Sequence, residues 1–393
     1  MKKTILIVTI FLTMFVSMIV PIYAEETASS ETPDLAPDAK SAILIERDTG
    51  KLLFDKNAHQ KLPPASMTKI MTLLLIMEEI DQGHLKLDEV IRISENAASM
   101  GGSQVFLGIG EEMSVEDLLK SIAIASGNDA SVALAERISG SEEAFVQKMN
   151  DKVDELNLKN SHFKNSTGLP AKDHYSSAYD MAMIAKELLK YESITDYTSI
   201  YEDYLRKGEK NEFWLVNTNK LVRFYPGVDG LKTGYTNEAK YCLTATAKKD
   251  NMRVITVVMG AETTKNRNAS TSKMLDYAFN HFETRKLYDK GQKITTVQLL
   301  KADKKNIDIV TSESISTIHK KGESTDEIET TVIVDDQLTP PMRKGDQVGV
   351  IKVTNGDTVL SEVPLVISQD LDKASFLTLV KRSLQELVKN KSY

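Results

Sequence analysis

Apolar residues follow several different patterns along the chain, and each pattern predicts a different kind of structure. An uninterrupted apolar run lies near the N-terminus, and residues 39–285 mix short apolar runs with helical periodicity. After about residue 287 the segments become short, alternating and rich in β-branched residues, and the last two dozen residues return to helical spacing. The sequence therefore predicts two folded domains, with a separate segment at each end of the chain.

The N-terminal segment has the features of a secretory signal peptide. Lys2 and Lys3 precede an apolar run from Ile5 to about Val20, and Ala24 supplies a small residue at the expected cleavage point. The run is short for a membrane span, so we expect residues 1–24 to be removed; an uncleaved anchor helix is the alternative. Loss of the two lysines would change the formal net charge from −7 to −9.

The first folded domain is predicted over residues 39–285, after an acidic, proline-containing stretch at 25–38 that predicts a flexible linker. Two apolar runs around Gly50 predict a β-hairpin. Periodicity and punctuation by proline and glycine predict helices over 65–80, 114–124, 130–138, 142–156, 178–189 and 270–282, and strands over 241–247 and 253–259. This order predicts an α+β fold in which the late strands pair with the early hairpin.

A small all-β domain is predicted over residues 288–368. Six short segments with β-branched residues alternate with turn signals, including Pro340-Pro341 and Asn355-Gly356. Asn-Gly between two such segments is a strong hairpin signal.

The C-terminal residues 371–393 predict a basic amphipathic helix. Apolar residues recur at helical spacing and lysine and arginine fill the other positions. The helix is too short and too charged to span a bilayer, so it either packs on its own domain or lies on a membrane surface.

Composition narrows the class of protein. The negative net charge argues against a nucleic-acid partner, and the single cysteine, Cys242, excludes an internal disulfide. No H-E-x-x-H pairing occurs among the histidines, so neither a catalytic metal nor a cofactor is predicted. The pattern leaves open whether Trp214 is a core residue or lies at the rim of a cleft.

Ser66 and Lys69 form the first candidate for chemistry. Positions i and i+3 of a helix share one face, so the hydroxyl and the amine can meet near the helix start. A desolvated lysine loses basicity and can then take a proton from serine. The pattern alone is weak, because Ser161…Lys164 and Ser270…Lys273 also match it.

Two further short motifs complete the candidate site. Ser126-Gly-Asn128 lies between two predicted helices, where it suits either a cleft loop or a helix cap. Lys232-Thr-Gly234 starts a strand-like run, and its glycine would let a backbone approach a ligand closely; an ordinary turn before a strand is the alternative.

The three motifs in the order S-x-x-K, S-x-N, K-T-G resemble the signature of the penicillin-binding proteins and serine β-lactamases. Over residues 39–285 the chain is similar to the low-molecular-mass penicillin-binding proteins that act as D-alanyl-D-alanine carboxypeptidases, and the trailing domain and helix match that architecture. The runs that carry the similarity are Pro64–Thr72, Ser126–Ala130, His162–Asn165, His174–Ala178, Asn217–Leu221 and Asp229–Gly234.

The resemblance implies a role for each candidate residue. Ser66 would attack the carbonyl of the penultimate D-alanine, Lys69 would take its proton, and Ser126 with Lys232 would return a proton to the leaving amine. The substrate would be held by Asn128, Lys232, Thr233, Gly234 and Arg267, and the backbone N–H groups of Ser66 and Tyr235 would form the oxyanion hole. Some relatives have histidine where this chain has Tyr235.

The resemblance also implies partners and a location: peptidoglycan stem peptides as substrate, β-lactams as covalent inhibitors, and the outer face of the cytoplasmic membrane reached through the C-terminal helix. A class A β-lactamase is disfavoured because no E-x-x-x-N run lies between Asn128 and Lys232. A peptidoglycan endopeptidase and a non-catalytic wall-binding protein remain as alternatives.

Overall fold

The computed structural model describes residues 33–325 and 327–389. The predicted signal peptide and the predicted linker up to residue 32 lie outside the described residues. Within those two ranges, no helix combines the length and the apolar character that crossing a membrane requires.

The first domain contains the predicted hairpin, the helical middle and the late strands. Its elements are β1 (Ser41–Glu46), β2 (Leu52–Lys56), a 3₁₀ turn (Ala65–Thr68), α1 (Lys69–Asp81), β3 (Val90–Arg92), α2 (Glu95–Ala98), β4 (Glu112–Ser114), α3 (Val115–Ala125), α4 (Asn128–Ser139), α5 (Glu142–Glu155), α6 (Ala178–Leu188), α7 (Ile194–Thr198), β5 (Glu202–Leu205), β6 (Phe213–Val216), α8 (Leu221–Phe224), β7 (Val228–Thr236), β8 (Lys240–Lys249), β9 (Met252–Ala261) and α9 (Thr264–His281).

A five-stranded antiparallel sheet in the order β2-β1-β9-β8-β7 forms the centre of this domain. The early hairpin pairs with the late strands, as the sequence predicts. Alternate residues of β1 enter different cores: Ile43 and Ile45 pack with the helical middle, and Ala42 and Leu44 pack with α9. The sheet is thus covered on both faces, which explains why its central strands read as continuous apolar runs. The α+β prediction is confirmed.

The second domain is the predicted all-β domain. Its strands are β10 (Phe282–Tyr288), β11 (Lys293–Gln298), β12 (Asn306–Thr311), β13 (Ile315–Lys320), β14 (Ile328–Val334), β15 (Gln347–Asn355) and β16 (Thr358–Ile367), followed by the helix α10 (Phe376–Lys389). One sheet has the order β11-β12-β16-β15-β14, and β10 pairs with β13. Asn355 lies opposite Thr358, so Asn355-Gly356 begins the tight hairpin that the dipeptide predicts.

Three predicted boundaries are corrected by the packing. Leu35 and Ala36, placed in the linker, are buried against the sheet, because an apolar pair beside the first strand gains by leaving water. The segment 282–288 forms β10 and pairs with β13, so the second domain begins at about residue 282 and not at 288. Leu371, placed in the terminal helix, is fully buried and its backbone pairs with Met342, and the helix begins only at Phe376.

The last helix of the first domain also begins earlier than predicted. It starts at Thr264 and not at residue 270, because the Thr263 hydroxyl accepts a hydrogen bond from the Asn266 N–H and caps it. Arg267 therefore lies inside the first turn of α9, whereas the sequence placed it before the helix.

Candidate active site

Ser66 lies in the 3₁₀ turn that leads into α1. It is half-buried, whereas the first helical residues from Lys69 to Met77 are buried on all sides. A helix that is buried all round belongs to the core of a domain, so the turn before it is held rigidly. The predicted i, i+3 pairing occurs: the Lys69 Nζ lies 3.4 Å from the Ser66 Oγ.

The Lys69 amine has two acceptors besides the serine. Its Nζ donates to the Asn128 Oδ1 at 2.6 Å and to the backbone carbonyl of Thr167 at 2.7 Å. A neutral amine has two N–H donors and one lone pair. With both donors engaged, the lone pair is directed towards the Ser66 hydroxyl, as a general base requires.

The surroundings of Lys69 favour the neutral amine. Its side chain is fully buried, and burial, followed by the positive charge of Lys232, holds its pKa well below the ordinary lysine value. The carboxylates of Asp129 and Glu142 act in the opposite direction. The net effect is a lowered pKa, so the neutral Lys69 amine can act as a base beside Ser66 and no histidine is needed.

Ser126 ends α3 in a left-handed conformation with φ of 66°. This backbone turns the residue towards the cavity that contains Ser66, and the side chain is 3% exposed. Among the described residues, the Ser126 Oγ has no hydrogen-bond partner. A buried hydroxyl without a partner costs free energy, so its occurrence beside the nucleophile indicates a group that is available to substrate.

Asn128 begins α4 and connects the base to a neighbouring loop. Its Nδ2 donates to the Gly101 carbonyl at 2.6 Å while its Oδ1 accepts from Lys69. These bonds fix the amide orientation. Ser126-Gly-Asn128 joins α3 to α4 at the cavity, as the prediction of a cleft loop requires. The alternative prediction of a helix cap is wrong, because Gly127 occupies the N-cap position of α4 and no side chain caps that helix.

Lys232, Thr233 and Gly234 lie within β7, the edge strand of the sheet, and this strand begins at Val228, earlier than the sequence indicates. An edge strand leaves backbone groups unpaired, and here the free edge borders the cavity. A Cβ on Gly234 would lie 2.7 Å from the Pro64 carbonyl oxygen. Only glycine therefore lets β7 approach the turn that carries the nucleophile.

The Lys232 side chain is a second buried amine. It is 1% exposed, and burial, followed by the positive charge of Arg267, lowers its pKa to about 7. Its Nζ donates to the Thr233 carbonyl at 3.2 Å. Lys232 can therefore exchange a proton near neutral pH, where an ordinary lysine stays charged.

A cavity of about 550 Å³ is lined by six of the nine predicted residues, whereas Lys69, Asn128 and Lys232 are buried and do not line it. Arg267 is 5% exposed, and its guanidinium bonds Asn268 at 2.9 and 3.0 Å. The Thr233 hydroxyl is held by that of Thr218 at 2.8 Å. The described residues that line the cavity include arginine and lysine but no carboxylate, and are Ser66, Ser103, Ser126, Val216, Asn217, Thr218, Lys220, Thr233, Gly234, Tyr235, Tyr241, Thr264, Arg267 and Asn268.

Two supports of the site are missing from the sequence prediction. Gly168 has φ of 85°, and a Cβ there would lie 1.9 Å from the Ala65 carbonyl oxygen, so this glycine presses directly on the nucleophile turn. His174 accepts from the Lys164 N–H through Nδ1, which assigns the proton to Nε2, 2.8 Å from the Thr68 Oγ1. Burial lowers the pKa of His174 to about 4, so this link is neutral.

The competing S-x-x-K matches are structural. The Ser161 hydroxyl lies 2.8 Å from both the Asp180 carboxylate and the Ser176 hydroxyl, and Ser270 is buried within α9. Cys242 lies opposite Gly234 in the sheet, and burial raises the pKa of its thiol to about 11. Across the part of the chain that the structure describes, no group of three histidine, cysteine or acidic side chains could hold a metal ion.

Comparison with known proteins agrees with this geometry. The family model described as D-alanyl-D-alanine carboxypeptidase matches residues 26–263, and that of the penicillin-binding protein 5 C-terminal domain matches residues 282–373. The chain is 57% identical over 360 residues to the D-alanyl-D-alanine carboxypeptidase DacF of Bacillus subtilis, which covers 92% of each chain.

Solved structures give the same result. Penicillin-binding protein 5 from Haemophilus influenzae matches with a TM-score of 0.66 and 31% identity, over 85% of this chain and 98% of that one. The ampicillin-bound penicillin-binding protein D2 of Listeria monocytogenes matches with a TM-score of 0.57 and 29% identity, over 63% of this chain and 100% of that one. The chain therefore belongs to the low-molecular-mass D-alanyl-D-alanine carboxypeptidases, a family of serine peptidases of peptidoglycan metabolism.

Proposed function

We propose that this protein removes the terminal D-alanine from peptidoglycan stem peptides through an acyl-enzyme on Ser66. The observation that carries the proposal is the arrangement around Lys69, whose two N–H donors are engaged by Asn128 and Thr167 while its Nζ lies 3.4 Å from the Ser66 Oγ. The family comparison supplies the substrate class.

In the acylation step the Ser66 Oγ forms a bond to the carbonyl carbon of the penultimate D-alanine, and its proton passes to the neutral Lys69. The bond between that carbon and the nitrogen of the terminal D-alanine then breaks. The leaving amine takes a proton through the unpartnered Ser126 hydroxyl, which Lys232 can resupply. A water oxygen then forms a bond to the ester carbonyl carbon and the bond from that carbon to the Ser66 Oγ breaks. The Oγ regains its proton from Lys69, the water's proton passes to solvent, and Lys232 recovers a proton from solvent.

The substrate carboxylate is assigned to the cationic end of the cavity. Thr233 and Arg267 line this end, and the Thr218–Thr233 hydrogen bond orients the Thr233 hydroxyl. Charge-assisted hydrogen bonds from arginine are strong in a site that excludes water. The oxyanion hole is assigned to the backbone N–H groups of Ser66 and Tyr235, and removal of one such donor typically costs roughly 10²–10³ in rate.

The same geometry predicts inhibition by β-lactams. Such a ring presents an amide carbonyl to Ser66 and forms a stable acyl-enzyme. In class A β-lactamases a glutamate activates the water that releases the drug, and the described residues that line this cavity include no carboxylate. The protein is therefore expected to be inhibited by penicillin and not to destroy it.

The reaction is tested by D-alanine release from an acyl-D-Ala-D-Ala peptide. We expect release by the unsubstituted protein and none by Ser66→Ala, with a penicillin adduct on Ser66 in the former only. Ser161→Ala is the matched control, since that serine belongs to a structural S-x-x-K match. Penicillin labelling without D-alanine release would favour the endopeptidase, and the absence of both would favour a non-catalytic wall-binding protein.

We further propose secretion and peripheral binding to the outer face of the cytoplasmic membrane. The sequence of residues 1–24 supports secretion. In α10, Phe376 is 78% and Leu377 79% exposed, which is unusual for large apolar side chains unless they meet another surface. The Arg382 guanidinium donates to the Leu300 and Asp303 carbonyls, which ties the helix to the second domain.

Membrane binding is tested by sedimentation with vesicles that contain anionic lipid. The chain should end after Ser375, because deletion from Leu371 would remove a fully buried residue. We expect the truncated protein and the double variant Phe376→Asp, Leu377→Asp to stay in the supernatant. The surface variant Leu360→Asp, 43% exposed in β16, is the control. Sedimentation of the double variant at the unsubstituted level would contradict the proposal.

A further inference from the structure

The hairpin of β5 and β6 has an aromatic solvent face. Tyr204 lies opposite Trp214 and Glu202 opposite Val216, and side chains two residues apart on a strand share a face. Tyr204 is 45% and Trp214 55% exposed. The other face of the hairpin contributes two buried leucines to the core. The solvent face of such a hairpin is ordinarily polar, so an exposed tyrosine–tryptophan pair indicates a binding surface.

This face is continuous with the active-site cavity. Val216, on the same face as Trp214 and two residues away, lines that cavity. A second segment supports the hairpin from its other face: Ser103 lines the cavity, and Phe106 packs edge-on against Phe213, on the face opposite Trp214, with ring centroids 5.8 Å apart. Two separate parts of the chain therefore lead from the nucleophile to the hairpin.

The hairpin is held in place before any ligand arrives. Arg206, at the end of β5, has its side chain 6% exposed and forms an ion pair with Glu111. The same guanidinium donates to the carbonyls of Val105 at 3.2 Å and Phe106 at 3.3 Å. These contacts fix the backbone of the hairpin, which lowers the entropy cost of ordering it when a ligand binds.

We propose that Tyr204 and Trp214 form a saccharide shelf that binds a pyranose ring of peptidoglycan while the stem peptide occupies the cavity. This inference rests on the proposed function. The flat aromatic faces suit the apolar C–H face of a sugar ring, and the tyrosine O–H, the indole N–H and Glu202 can bond its hydroxyls. The acidic Glu202 on the same face disfavours an anionic membrane surface as the occupant.

Trp214 is the only tryptophan in the chain, so its emission reports directly on the shelf. The Ser66→Ala protein is titrated with three ligands: the disaccharide-pentapeptide, the disaccharide alone and the pentapeptide alone. We expect both saccharide ligands, but not the pentapeptide alone, to change the emission. An equal change with the pentapeptide, or no change with either saccharide ligand, would overturn the shelf.

Kinetics give a second, independent readout. The ratio of kcat/KM for the disaccharide-pentapeptide to kcat/KM for the pentapeptide should fall roughly tenfold in Trp214→Ala, and also in Tyr204→Ala. Phe224→Ala is the control, since Phe224 is 68% exposed but lies outside the hairpin. Penicillin labelling identifies folded variants, and Tyr204→Ala tests the shelf if Trp214→Ala does not fold.

An unchanged ratio in both folded variants would overturn the shelf and leave the proposed reaction intact. Failure of the unsubstituted protein to release D-alanine from the pentapeptide would instead overturn the reaction. The two failures are therefore distinguishable.

Discussion

The two domains bury different kinds of residue. In the first domain Lys69 and Asp129 are 0%, Lys232 is 1% and Arg267 is 5% exposed, and all four lie at or beside the active site. In the second domain, the buried polar residues among those described are Thr311, Ser316 and Thr317, which carry no charge. Glu46 and Asp180 of the first domain are also buried, but they hold Thr49 and Ser161 in structural hydrogen bonds. Removing charges from water costs free energy, so the four charges at the active site indicate a functional requirement there.

The sheets of the two domains also differ in how deeply their strands are buried. All ten residues of β9 are buried, because helices cover both faces of the central sheet. In β14, by contrast, no residue is buried. The first domain therefore offers a dry interior in which amines can lose basicity, whereas the second leaves its charges in water.

The largest effect is expected from Lys69→Met. The substitution removes the base from Ser66, and general base catalysis contributes roughly 10²–10⁴ to a rate. The second-order rate constant for acylation by a fluorescent penicillin should fall by that factor. A urea unfolding curve of the same variant serves as the control for folding. Acylation within tenfold of the unsubstituted rate in a folded variant would remove Lys69 from the role of base.

A matched pair of glycines compares the packing of the two domains. Gly168 and Gly291 have φ of 85° and 73°, but an added Cβ would meet the Ala65 carbonyl oxygen at 1.9 Å in the former and nothing within 4 Å in the latter. Gly291→Ala should cost about 1–2 kcal/mol of unfolding free energy, the ordinary cost of a left-handed alanine. Gly168→Ala should cost more, because backbone must also move, and should slow penicillin acylation.

Urea unfolding and acylation rates measure both variants. Equal losses of stability with unchanged acylation would show that the contact between Gly168 and the nucleophile turn has no influence on the site. If Gly291→Ala lost acylation and Gly168→Ala did not, packing in the second domain and not in the first would control the site.

Much of this architecture can be predicted from the sequence, because helices and strands each have a characteristic spacing of apolar residues. Apolar spacing gives α3, α5 and α6 to within two residues, and the Asn355-Gly356 turn gives the β15–β16 hairpin. The three motifs predict which residues meet at the candidate active site, because their residue types are rare in combination.

The supports of the site could not be predicted because they depend on contacts between distant segments. The Thr167 carbonyl that accepts from Lys69 is 98 residues away in sequence, and a backbone oxygen leaves no signature in residue type. The sequence predicts too late a start for the second domain, because α9 ends at His281 and β10 begins at Phe282 with no glycine or proline between them. Tertiary pairing with β13 decides that boundary.

The pH dependence separates activity from stability at Lys232. Its pKa is lowered to about 7, so above that pH the amine loses the proton that the leaving D-alanine needs. We expect kcat/KM to fall by about tenfold per pH unit above pH 7, with the fall displaced to higher pH in Lys232→Arg, whose charge persists.

Stability should change in the opposite direction over the same range. The unfolded chain keeps the Lys232 proton up to the ordinary lysine pKa of about 10.4, so between pH 7 and that value the unfolded state binds more protons. This group therefore contributes increasing stability as pH rises while activity falls. Urea unfolding at pH 6 to 9 measures it, with Lys232→Met as the reference that removes the titration. If activity and stability instead fell together as the pH rose, and stability fell in the same way in Lys232→Met, the loss of activity would be due to general unfolding.

The smallest effect is expected from Lys352→Met in the second domain. Lys352 lies opposite Glu362 across β15 and β16, with Nζ 2.7 Å from the carboxylate and side chains 35% and 46% exposed. Water screens such a pair, so its loss should change the unfolding free energy by less than about 1 kcal/mol, and 1 M NaCl should reduce that difference further. Penicillin acylation should equal that of the unsubstituted protein, since no charge is removed from the dry region around Ser66. A loss of several kcal/mol, or slower acylation in a folded variant, would show that charges of the second domain also act on the site, and the division between a reactive interior and a solvated support would then not hold.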